Sequence, residues 1–501
     1  MMGWAKKYGD IFSVRMGTKT TVILNGYEAI QDVFQRKGAL TSGRPRIPTF
    51  DFLHGRGILC ADYCARQRAQ REFTLKYLAK ADTEKQTEDE IDALLQYIRD
   101  TNGEPFDFNS TISATISNII ESILFGSKLE QEGPNVKILV DSIQAASRLS
   151  AQASFQNFLP FLSFLPQCRN GNEAWNVFSS HVTRLLERHI LGYDARATRG
   201  LVDAFLHQSK RSDSENSFSF NDDDLIANCQ TLYIGGSETT STTLTWGMLF
   251  LLSNPDVCEK INAELEEVVG KTRRPSLADR PNLPYVNATL MEIQRCNYIG
   301  PLSLPHKAIR DTTINGYVIP EGTTILANFW SVFMDEKNWP NPREFRPSRF
   351  LDEDGNLKKI ETFIPFSLGK RSCPGETVAR QEMFLVVTAL VKAFTFHVPE
   401  GEAIPDPDGS LGLMNEPPRY RVLQAILISA SAQRGGLKPG VRLIDPASVT
   451  LYSCDTGDIY DSSTWVLVYP NGTGQVEVNN TISTRQAGGL MHKINAVQEV
   501  A

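Results

Sequence analysis

The spacing of apolar side chains changes once, early in the chain. From Ile11 to Leu24 apolar and polar residues alternate around a turn at Gly17, which predicts a pair of strands. Beyond that point the repeat lengthens to three and four residues. Helices are predicted over Glu28–Arg36, Arg66–Tyr77, Glu84–Asp100, Thr111–Phe125, Glu173–Leu191, Asp222–Ser253, Pro255–Val269, Tyr285–Arg295 and Pro374–Phe394. Strand-like stretches return at Thr312–Ile319 and Thr323–Asn328, divided by the turn Ile319-Pro320-Glu321-Gly322. The pattern is that of a mainly α protein with a small β region.

Pro, Asn, Asp and Arg crowd the segment from Glu336 to Asn356, but aromatic residues are interleaved, so it should pack as an ordered meander. After about Ile428 the character changes. SASAQRGGLKPG reads as loop, and WVLVYPNGTGQVEV as a hairpin about Asn471-Gly472. A boundary is expected there: residues 1–429 form one domain, and 430–501 an extension that is either a small β hairpin or disordered.

Composition narrows the functional classes. The 501 residues carry a formal charge of −7, which argues against a nucleic-acid partner, since such partners demand net positive surface. Eight cysteines (Cys60, Cys64, Cys168, Cys229, Cys258, Cys296, Cys373, Cys454) fall at spacings that suit neither a zinc site nor a disulfide scaffold. Sequons at Asn109, Asn287, Asn471 and Asn479 are weak indications of secretion in a chain this long. No run of 18 apolar residues occurs, and the opening MMGWAKKYGDIFSVRMG contains neither a signal peptide nor an apolar anchor. As written, the chain reads as soluble.

One stretch asks for chemistry: PFSLGKRSCPGE, ahead of an apolar helix. Pro374 suits a first helical position, which would put Cys373 at a helix N-terminus. There the free N–H groups, with Lys370 and Arg371, favour thiolate over thiol. Gly369 and Gly375 would let the backbone approach something flat and large. A buried structural cysteine and a reactive nucleophile are the plainer alternatives, but neither explains Phe, Gly, Arg, Cys and Gly at fixed offsets. Phe366, Gly369, Arg371, Cys373 and Gly375 match the pattern FxxGxRxCxG, and in this the chain resembles the cytochrome P-450 superfamily. The resemblance implies the cytochrome P-450 fold, haem b as cofactor and Cys373 as the axial ligand of its iron.

Other stretches fit the same resemblance in order. TLYIGGSETTSTT lies in the longest helical run, where paired glycines and hydroxyl residues disfavour helix. A threonine bonded back to the carbonyl one turn earlier can open a groove there, with Glu238 and Thr239 supplying a proton path. The alternative is a glycine kink with a polar stripe. Glu292 and Arg295 could be an ordinary surface pair, but with Arg349 in RPSRF they resemble the family's buried network supporting the cysteine loop. Arg44, Arg71, His306 and Arg371 could be ordinary solvated charges; by resemblance they hold the haem propionates. Where relatives among the animal drug-metabolising enzymes of family two carry a propionate-binding tryptophan, this chain has Gln67.

Carried over likewise, the substrate pocket comprises Thr231, Ile234, Gly235, Pro301, Leu304 and Leu413, small or apolar residues suited to a lipophilic molecule. Ser154–Pro166, with four phenylalanines, could be pocket roof, membrane-dipping surface or core. Arg66, Arg68, Lys76, Lys80 and Lys370 are either a solvated face or the docking side for an acidic reductase. The resemblance implies a monooxygenase that inserts one atom of O2 into a xenobiotic, fatty acid or steroid. Electrons would come from NADPH through cytochrome P-450 reductase, with cytochrome b5 as a further donor, at the cytoplasmic face of the endoplasmic reticulum. Without an anchor the chain could instead be cytoplasmic. A haem-binding protein without turnover, a degenerate enzyme or sensor, is the competing class, and a haem-thiolate isomerase or dehydratase a third.

Overall fold

The computed structural model describes residues 2–17, 19–126, 134–152, 154–211, 220–296, 298–407, 409–411, 414–426, 464–468 and 475–479. The chain divides into two compact units. One comprises Met1–Leu94, Phe108–Ala389 and Ile404–Tyr420; the other comprises Leu95–Asp107, Leu390–Ala403 and Arg421–Ala501.

The first unit is mainly helical around a four-stranded sheet. Strands β1 (Ile11–Met16), β2 (Lys19–Asn25), β3 (His306–Lys307) and β4 (Thr324–Asn328) lie in the order β1-β2-β4-β3. β2 pairs antiparallel with β1 and parallel with β4, so that Val22 lies opposite Ile325 and Leu24 opposite Ala327. These four residues are buried, in one cluster with Val33, Phe34, Phe329, Phe333, Trp339 and Phe350. Trp339 and Phe350 come from the Pro- and Asn-rich meander. Its aromatic residues anchor it, as their interleaving suggested.

The centre of the unit is the 32-residue helix Asp222–Ser253, capped at its start by Asn221, whose side chain accepts from the Asp224 N–H. Helices Phe108–Phe125, Pro134–Gln152 and Pro166–Leu191 surround it, and Pro284–Cys296 and Glu376–Ala393 carry the buried polar groups described below. The long helix is buried on nearly all sides, as its lack of a polar stripe requires.

Several expected boundaries shift. The helix after Cys373 begins at Glu376, not Pro374, and gives way to strand at Phe394. Thr312–Ile319 is two short strands rather than one, folded at Asn315-Gly316 with positive φ at both residues. That pair of residues suits a tight hairpin turn, and it overrides the alternation on either side. Two long helices went unpredicted, Pro134–Gln152 and Leu201–Arg211, as did the short helices Met2–Tyr8, Gly38–Thr41, Gly57–Cys60 and Trp330–Phe333. Of the phenylalanine-rich run, Phe161 and Phe164 are exposed, at 67% and 66%.

In the second unit Arg421–Ile426 pairs antiparallel with Phe106–Asp107 and with Phe394–His397. Thr464–Val468 and Gln475–Asn479 form an antiparallel hairpin with Trp465 opposite Val478. Among the described residues no helix is long and apolar enough to cross a membrane.

Candidate functional site

The loop Phe366–Gly375 is tied to itself and to the start of the chain. Cys373 N–H donates to the Phe366 carbonyl at 2.9 Å, closing the turn. Gly369 has φ +74°, and a Cβ there would stand 1.9 Å from the Phe34 carbonyl oxygen. The glycine is therefore required by the backbone at Phe34, not by a flat ligand as the sequence suggested. Gly375 differs: a Cβ on it would meet nothing closer than Cys373 Sγ at 3.9 Å, so this side of the thiol is open.

Burial raises the Cys373 thiol pKa, opposed by an N–H from Gly375 and by the Arg71 guanidinium, while Glu376 adds to the rise. The expected help from Lys370 and Arg371 is thus replaced by Gly375 and Arg71. Without a metal the thiol form is favoured; a coordinated metal would reverse this.

Around the loop the structure gathers three arginines. Arg371 donates to the carbonyls of Ser42, Ile58 and Ala61 at 2.9, 3.0 and 2.7 Å. Arg44 donates to those of Leu59 and Pro305 at 3.0 and 2.8 Å. Arg71 reaches the carbonyl and hydroxyl of Ser372. Among the described residues none of the three has a carboxylate partner, and they depress one another: burial, then Arg371, brings Arg44 down to about 9, and burial, then Arg71, brings Arg371 to about 10. His306 stacks on Phe34 at 3.8 Å and pairs through Nδ1 with the Thr41 carbonyl at 2.9 Å. Burial, then Arg44, holds its pKa well below the usual imidazole range. A buried cationic cluster without anions is costly on its own. It fits a group bearing carboxylates, as a porphyrin does.

Gln67 lies fully within this layer. Its amide nitrogen donates at 3.1 Å to the Ile58 carbonyl that also serves Arg371, and its Oε1 is buried without a partner. Ile58 in turn donates its N–H to Asn228 of the long helix at 2.8 Å, which is how the loop set connects to that helix.

On the long helix, Thr239 Oγ1 donates back to the Gly235 carbonyl at 2.6 Å, the predicted back-bond. Gly235 is exposed and Ile234 and Thr239 are half-buried, in a helix otherwise enclosed, so this stretch faces open space inside the fold. Thr231 is buried, its hydroxyl without a partner. Burial, with Glu416 adding, pushes the Glu238 carboxyl up to about 7, close to the value at which a group gives and takes protons readily. Pro301 and Leu304 lie in the segment leading to His306, their carbonyls accepting from Trp330 N–H and Arg44. Leu413 lies outside the described residues.

The acid–arginine network is complete. Glu292 accepts from Arg295 at 2.7 and 2.9 Å, from Arg349 at 2.7 Å and from the Arg346 N–H at 2.9 Å. Arg295 also donates to the Phe333 and Pro342 carbonyls. On the basic face, Arg68 and Lys370 share the ring of Tyr63, Arg66 lies 3.6 Å from Asp224, and Lys76 is paired with Glu72.

Among the described residues, one of the buried acids that the sequence reading did not single out stands without a compensating cation. Glu382, on the helix after the cysteine loop, is 0% exposed; neither carboxylate oxygen has a hydrogen-bond partner, and Thr240 is its polar neighbour. Burial pushes it up to about 8. A glutamate amid MFLVV could have signalled it, since that face has no route to solvent.

Comparison with known proteins gives the family. The family model "Cytochrome P450" matches residues 1–424. Among similar proteins, "Cytochrome P450 2D20" of Mesocricetus auratus is 33% identical over 84% of this chain and 87% of its own length. "Cytochrome P450 2D4" of Rattus norvegicus is 35% identical over 83% and 86%, and "Cytochrome P450 2U1" of Homo sapiens 33% over 83% and 79%. The chain belongs to the cytochrome P-450 family. It is a haem-thiolate monooxygenase, with haem iron as its cofactor.

Proposed function

We propose that Cys373 supplies the thiolate to the haem iron, in a catalytic domain spanning residues 1–429 with 430–501 as an extension. Arg44, Arg71 and Arg371 would take the propionates, joined by His306 where an adjacent propionate favours protonation of its Nε2, with Phe366, Gly369 and Gly375 shaping the cysteine loop. The observation that carries this reading is the cluster of three arginines without carboxylate partners beside an open cysteine thiol. When bound, haem supplies oxygen activation and the oxidising power for hydroxylation. The chain's own residues do the rest.

Glu238 holds and releases a proton near neutral pH, and Thr239, by committing its hydroxyl hydrogen to Gly235, presents lone pairs toward the open stretch of the helix. Thr231, Ile234, Gly235, Pro301, Leu304 and Leu413 enclose the substrate. The half-buried apolar members favour a lipophilic molecule oriented by shape, and they exclude water once it is seated. Glu292, Arg295 and Arg349 hold the meander that backs the cysteine loop. Electrons come from NADPH through a flavoprotein reductase docking on the side of Arg66, Arg68, Lys76, Lys80 and Lys370, and the enzyme works at the cytoplasmic face of the endoplasmic reticulum.

The test is the absorption spectrum of the reduced, haem-loaded protein with carbon monoxide. The wild type should give the thiolate-ligated band and Cys373→Ala should lose it at equal haem content. An unchanged band in Cys373→Ala refutes the assignment. Turnover of a lipophilic panel with NADPH and reductase then tests the substrate class and electron donor.

A further inference from the structure

A cavity of about 220 Å³ opens between the helices Pro284–Cys296 and Glu376–Ala393. Arg280 and Arg380 both line it, and burial, then Arg380, lowers the Arg280 pKa. Both are held in place from behind. Arg280 lies over the ring of Phe384 at 5.7 Å and donates through Nε to Asn287 Oδ1 at 2.9 Å. Asn287 is itself fixed, its amide donating to the Arg280 and Leu283 carbonyls at 2.8 and 2.7 Å. Arg380 lies over Phe366 at 4.8 Å and donates through Nε to Glu376 at 3.0 Å.

Each arginine thus spends its inner nitrogen on the protein. Among the described residues the terminal nitrogens of both have no hydrogen-bond partner, and both residues line the cavity. Leu290, Met291 and Met383 supply an apolar floor, and Leu357, 43% exposed, stands at its edge. Glu376, paired with Arg380 at 3.0 Å, offsets part of that arginine's charge.

We infer that this cavity binds a phosphate group, clasped between the outward forks of Arg280 and Arg380. A tetrahedral dianion offers oxygens to two guanidiniums at once, which a single carboxylate does less well. The volume holds phosphate with a small organic substituent and is too small for a peptide segment. None of the lining residues belongs to the haem, substrate or electron-donor sets, although Arg380 lies against Phe366 of the cysteine loop.

The experiment titrates the full-length, haem-loaded protein with inorganic phosphate at ionic strength held constant with chloride, reading the thermal midpoint and the 31P NMR line width. Both should saturate. Arg280→Gln and Arg380→Gln should each weaken the apparent affinity about tenfold or more, the cost of losing one charge-assisted fork. Leu357→Glu alters only an exposed residue and brings a carboxylate to the arginines; it should raise the midpoint without phosphate and abolish the response to it. Vesicles containing phosphatidic acid that compete with phosphate, where phosphatidylcholine vesicles do not, would support the proposal and identify a lipid headgroup as the source. A midpoint that follows chloride as well as phosphate, an unchanged response in all three variants, or a response to polyglutamate alone would overturn it.

Discussion

Replacing Glu382 by glutamine should flatten the pH dependence of stability. The carboxyl is wholly enclosed, Thr240 is the polar group facing it, and burial moves it from 4.5 to about 8. Between those values the folded chain keeps the proton that the unfolded chain releases. The stabilisation is therefore full below about 4.5 and lost as pH rises toward 8. With about 1.4 kcal/mol per pH unit, raising pH from 5.5 to 7.5 should cost the wild type roughly 2–3 kcal/mol through this group alone. That is a large part of a typical total of about 5–15 kcal/mol. Glutamine has the same shape and no proton to lose, so Glu382→Gln should gain on the wild type by that amount over the interval. Glu238 remains in both proteins and cancels. Urea unfolding of the haem-loaded proteins at the two pH values measures the difference. A gap between them that stays constant to within about 0.5 kcal/mol would refute the reasoning, since extrapolation error alone is of that order.

Two further outcomes follow from the packing. Gly369→Ala combines a left-handed φ with a clash against backbone at Phe34, so it should cost more than about 3 kcal/mol and yield protein with little bound haem, measured by the haem-to-protein absorbance ratio. Glu292→Gln leaves Arg295 and Arg349 buried without their shared anion. It should lower stability by about 3 kcal/mol, the lower end of the range because Arg295 keeps three carbonyl partners, as judged by the urea midpoint.

The fold class was legible because helical periodicity and buried aromatic spacing survive in sequence; Trp339 and Phe350 mark the meander as packed in either view. The hairpin within Thr312–Ile319 was missed because alternation outweighed Asn315-Gly316, a turn that needs only two residues. Of the candidate site, the cysteine-loop motif pointed to Cys373 and the stretch GGSETT to Glu238 and Thr239, and geometry then showed the Thr239 back-bond. What the sequence misjudged was direction. Gly369 makes room for Phe34 rather than for a ligand, and Arg71, seventy residues after the first methionine, acts on the thiol where adjacent Lys370 and Arg371 do not. Proximity along the chain is a poor guide to which charge a buried sulfur feels. Glu382 was invisible for a similar reason, as its meaning depends on what surrounds its helix on every side.

The mutual repulsion of Arg44, Arg71 and Arg371 bears on how the protein is made. Closing the chain over three like charges is uphill, and on the proposed assignment porphyrin carboxylates would remove that resistance. Maturation should then depend on prosthetic-group supply, with the arginine cluster closing fully only once the pigment is bound.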